Sequence, residues 1–203
     1  MNMTYGLAAQ ALLVAWLVWN VTARAPSWQR RQRADDSRHS SLSRSLTGWT
    51  PQAALFAAGG AVLALIPVAD GVSAAMALRA LWGDPSVTTL QLLALALAGR
   101  PANVGRAPAA ALALFGIGFY ILALGLGDFD PYRLGYAAWP VAAVLAAAAL
   151  LAWWRGQPLW LWLLAVDLAV FAAGPPESGN LWDVLFDPLL VAAALILAVR
   201  GRR

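Results

Sequence analysis

The chain has 203 residues, of which 61% are hydrophobic and 12% charged, and its formal net charge is +4. That composition lies far outside soluble globular usage and points to a membrane protein. All 14 basic residues are Arg and there is no Cys, which excludes a lysine Schiff base, disulfides, thiolate nucleophiles and iron–sulfur ligation.

The single His, His39, lies in a polar stretch, so haem or zinc held by His ligands within a bundle is not expected. No cofactor is expected either. The pI near 10.3 does not indicate nucleic-acid binding, because the Arg residues cluster beside apolar runs, where a membrane protein places them. The apolar runs are continuous and dominated by Ala and Leu. Both are good helix formers, which argues against a β-barrel and for an all-α bundle.

Residues 3–21 form the first apolar run, about 28 Å long as a helix. No basic residue precedes it and six Arg follow, at 24, 30, 31, 33, 38 and 44. That polarity fits an uncleaved span with its N-terminus outside rather than a signal peptide, despite Ala23-Arg24-Ala25. Residues 22–49 are an Arg- and Ser-rich loop, expected in the cytoplasm against anionic lipid. Residues 50–69 are the second span. Its Gly59-Gly60 pair predicts close helix approach and a central place.

Residues 73–82 read as a short helix ending at Trp82, and 85–98 continue as an apolar run. Spans are then expected at 107–126, 135–154, 158–173 and 188–199, with 174–188 as an acidic outer loop. Seven transmembrane helices result, with six as the alternative count, in one domain over 1–203. The inside loops 22–49, 99–106 and 155–157 and the tail 200–203 then hold six, two, one and three Arg, twelve of the fourteen. Seven of the ten acids fall outside. Each loop obeys the positive-inside rule, with the C-terminus cytoplasmic and the chain multi-pass in a bacterial plasma membrane.

Asp-Pro occurs at 84–85, 130–131 and 187–188. Asp accepts from free amides as an N-cap, and Pro suits the first helical position, so each step is expected to open a helix. The runs after Pro85 and Pro188 measure about 21 and 18 Å, short of a hydrocarbon core of about 30 Å. Two helices are therefore expected to be short, or interrupted at Asp-Pro, with 73–82 and 181–186 flat at the outer interface or inserted.

Asp167 lies about 12 Å along its helix among Leu, Ala and Val. A lone acid there must face the bundle and find a partner, and Gln10 and Tyr120 stand at similar depth. It is the candidate proton or cation site. Asp183 and Asp187, four apart, would share a helical face, with Glu177 near them and Asp128 and Asp130 in the neighbouring loop. Together these oxygens would suit a hard cation, although their spacing matches no known metal loop. A solvated acidic rim is the plainer expectation for them.

No nucleophile elbow, zinc helix or phosphate loop is present, so the chain leans away from an enzyme. Three functions remain: a small proton- or cation-linked transporter; a non-catalytic assembly subunit with a membrane-protein partner or a second copy; and an enzyme acting on a lipid or isoprenoid. The lipid bilayer is a partner in all three.

Overall fold

The computed structural model describes residues 3–23, 51–174 and 178–200. Among them the fold is all-α apart from one minimal hairpin. In chain order it comprises α1 (Met3–Ala23), α2 (Pro51–Leu65), strands β1 (Pro67–Ala69) and β2 (Val72–Ser73), and α3 (Ala74–Trp82). Then follow α4 (Val87–Leu97), α5 (Arg106–Ala123), α6 (Trp139–Trp154), α7 (Pro158–Ala173), α8 (Trp182–Leu185) and α9 (Pro188–Arg200). A 3-10 turn covers Pro131–Gly135. Among the described residues α5, with 18 residues, alone qualifies as a membrane span by length and composition, while α1, α2, α4, α6, α7 and α9 hold shorter apolar runs.

Local chemistry sets the boundaries. Ser73 caps α3 by accepting from the Met76 amide at 3.2 Å, and Ser86 caps α4 by accepting from the Thr89 amide at 3.1 Å. These caps satisfy donors that a helix start leaves open. Proline stands in the first turn of α6 and α7 and opens α9, where no amide is lost.

The expected second span does not run helically to residue 69. It stops at Leu65, and Pro67 begins a hairpin closed by Asp70-Gly71. Both turn residues have positive φ, 47° and 76°, the backbone that an Asp-Gly pair favours in a two-residue hairpin turn. Nor is α2 central. It packs on α1, with α3 as a lesser contact, and leaves Leu55, Phe56, Val62 and Leu63 exposed. Only Gly60 of its glycine pair meets a neighbour, Val18 of α1, whereas Gly59 faces open space.

The remaining helices pair as α5 with α9 and α6 with α7. The first pair meets where Gly116 faces Val191 so closely that a Cβ would overlap it. The short α4 touches α1, α7 and α8. The apolar core lies beside it: Val87, Phe119, Val141, Leu181, Val184, Leu185, Phe186, Leu190 and Val191. Most of these come from 181–191, so much of the expected acidic outer loop is core.

Candidate functional site

The site is built on the first turns of α4. Within an apolar chain, residues 86–91 carry Ser86, Thr88, Thr89 and Gln91. Ser86 and Thr89 are three apart, as are Thr88 and Gln91, so each pair lies along one side of the helix. A carboxylate meets each pair.

On one side, Asp187 Oδ2 accepts from the Ser86 amide at 2.6 Å and from Thr89 Oγ1 at 2.5 Å. Its Oδ1 accepts from the Leu190 amide at 2.8 Å. Asp187 therefore caps its own helix, α9, and at the same time ties down the start of α4. On the other side, Asp167 of α7 accepts from Thr88 Oγ1 at 2.6 Å and from Gln91 Nε2 at 2.8 Å. Asp167 is 1% exposed and Asp187 5%. Buried carboxylates of this kind require such donors, and both sit near the positive end of the α4 dipole.

The partners of Asp167 are thus Thr88 and Gln91, in place of the expected Gln10 and Tyr120. Gln10 is spent elsewhere: it is fully buried, and its Nε2 donates to the Gly83 carbonyl at 2.9 Å. Tyr120 packs edge-on against Phe119 and Phe186. Residues at similar depth on separate helices need not face each other, and α4 stands against α7.

A cavity of about 360 Å³ opens above this turn, walled by Tyr5, Trp82, Asp84, Tyr120, Asp183 and Asp187 among others. Tyr5 donates to the Pro85 carbonyl at 3.2 Å. Asp84 does not cap α4. It pairs with Arg79 of α3, Nε to Oδ1 at 2.7 Å and Nη2 to Oδ2 at 3.0 Å. The pair fits only because residue 6 of α1 is Gly, since a Cβ there would overlap the Asp84 carboxylate. Of the three Asp-Pro steps, 187–188 opens a helix as expected. At 130–131 the cap serves the 3-10 turn, Asp130 accepting from the Tyr132 amide at 2.9 Å.

Asp183 and Asp187 do not share a helical face, because Phe186 is extended and ends α8 between them. Both still reach the cavity. Asp183 accepts from the Tyr132 hydroxyl at 2.9 and 3.0 Å. Burial, then this bond and the adjacent negative charge, push the Tyr132 hydroxyl above its ordinary range, so it stays a donor. The same segment is held through Asn180, which is fully buried. Asn180 donates to the Tyr132 carbonyl at 2.9 Å and accepts from the Trp182 amide at 2.9 Å. Trp182 Nε1 donates to the Pro131 carbonyl at 3.0 Å.

Asp128 is exposed and Asp130 is engaged in its own turn; neither lines the cavity. Glu177 and most of the 22–49 loop lie outside the described residues. Among the described residues no three acids come close enough to hold one metal ion. The described members of the hard-cation arrangement, Asp128, Asp130, Asp183 and Asp187, therefore do not form such a group by themselves.

The sequence reading missed Ser86, Thr88, Thr89 and Gln91. The available signal was four hydrogen-bonding residues within six positions of an apolar run, paired at i, i+3. No protein-family model, no curated protein and no solved structure matches the chain.

Proposed function

We propose that the chain is a polytopic protein of a bacterial plasma membrane. It crosses seven times, N-terminus outside and C-terminus in the cytoplasm, and works as a small proton- or cation-linked transporter. Support for the membrane reading comes from an inverted surface. Leu55, Phe56 and Leu63 are each more than 60% exposed, while Gln10, Ser86, Asp167 and Asn180 are at 0–1%. Water would make that arrangement costly, and lipid makes it favourable. Trp139, Trp153 and Trp154, at the ends of α6, are exposed, as an interfacial aromatic belt requires. The helices shorter than α5 are accommodated by local thinning of the bilayer, and α4 and α9 also by the α3 and α8 segments before them.

The observation that carries transport is Asp167. It is an ionisable group inside the bundle, held only by side chains of a helix whose first residue, Val87, lines the outer cavity together with the preceding Pro85. Protonation or a bound cation would change those two bonds and so the position of α4. Reconstitution in proteoliposomes tests this. Asp167→Asn is expected to abolish proton- or cation-dependent flux, and unchanged flux would remove the residue from the mechanism.

A second reading, a non-catalytic assembly subunit, is favoured by one observation. Asp84, Asp167, Asp183 and Asp187 each have partners within the protein, as purely structural hydrogen bonds would. It predicts a membrane partner or a second copy co-purifying in mild detergent.

A further inference from the structure

The walls of the outer cavity combine three features. The aromatic rings of Tyr5, Trp82, Tyr120 and Phe186 line it. So do the carboxylates of Asp84, Asp183 and Asp187, and among the described residues no cationic side chain does. At about 360 Å³ it stands at the small end of the range for small-molecule pockets, roughly 300–1,000 Å³.

The carboxylates surround the space without converging to ligate one metal ion. Their oxygens are already engaged: Asp187 by two amides and a hydroxyl, Asp183 by Tyr132, Asp84 by Arg79. What Asp183 and Asp187 still supply is negative potential, not free acceptor capacity, whereas the charge of Asp84 is balanced by Arg79. A ligand that brings positive charge but no N–H donors uses such a wall best, and aromatic faces attract the same kind of charge.

We infer that this cavity binds a small quaternary ammonium compound. The inference rests on the reading of the cavity as the outer site of a transporter and names its substrate class. The ammonium head would sit among the aromatic and acidic residues of the wall.

Equilibrium titration of the purified full chain in detergent, read by tryptophan fluorescence and calorimetry, tests it without requiring flux. The probes are choline, tetramethylammonium and 3,3-dimethylbutanol, the uncharged isostere of choline. Choline is expected to bind saturably and the isostere at least about tenfold more weakly, as a cation over desolvated rings implies. Asp183→Asn should weaken both cations by about tenfold. Trp82→Ala, which removes a ring from the wall, should weaken both cations as well. Equal binding of choline and its isostere would overturn the inference, as would choline affinity unmoved by both variants. Ammonium binding without any flux would remove transport and keep the ligand class. Proton- or cation-dependent flux with no ammonium binding would do the reverse.

Discussion

Asp167 and Asp187 grip the same two turns of α4 from opposite sides, yet they do so with different atoms. Asp187 takes two backbone amides and one hydroxyl, and so holds the starts of two helices together. Asp167 takes only side chains, Thr88 and Gln91. A backbone amide cannot turn away when its acceptor is lost, whereas a side chain can rotate toward another partner. Asp187 therefore reads as a fixed joint and Asp167 as a releasable one.

Asp187→Ala breaks the comparison most strongly. It leaves two helix-start amides and the Thr89 hydroxyl without their acceptor, and we expect a loss of about 3 kcal/mol or more. Thermal or denaturant unfolding in detergent measures it. A loss under about 1 kcal/mol would mean that the joint is not held by these bonds.

Gly135→Ala tests the neighbouring lock, because a Cβ there would overlap Asn180 Oδ1. Overpacking against a buried amide should cost about 1–3 kcal/mol. Combined with Asn180→Ala it should cost less than the sum of the two single variants, since the overlap with Oδ1 is gone while that with Trp182 Cδ1 remains.

Asp167→Asn should cost only about 1 kcal/mol, in keeping with single polar contacts between membrane helices. Under the proposed transport function the same variant should lose the coupled flux, and that gap between stability and flux would separate the two acids.

Tyr132→Phe is of comparable size, about 1–2 kcal/mol for one hydroxyl donating to a carboxylate at a partly exposed position. Its sign with pH is set by the raised folded-state pKa of this hydroxyl. The contribution is fully present below the unfolded value near 10 and is lost as pH rises above it. The difference between wild type and Tyr132→Phe should therefore be constant up to about pH 10 and shrink beyond it. A gap that widened above pH 10 would contradict the geometry.

The helices were legible because they depend on near-neighbour chemistry. Continuous Ala- and Leu-rich runs, Pro in first turns and Ser caps act within a few residues. The hairpin at 67–73 was legible too, through Asp70-Gly71, but went unread inside a longer apolar run. The site was legible only in half. The stretch 174–188 stood out by its acids, and Asp167 by its isolation in an apolar helix. Their partners did not stand out, because Ser86, Thr88, Thr89 and Gln91 look like ordinary interruptions until two other helices bring carboxylates against them.

Composition and local pattern by themselves determined that this chain is helical, apolar on most of its length, and free of lysine and cysteine chemistry. Which carboxylate meets which donor was decided by the packing of α4 against α1, α7 and α8. A hydrogen bond between residues 79 or 101 positions apart depends on how whole helices dock, and no local preference along the chain encodes that.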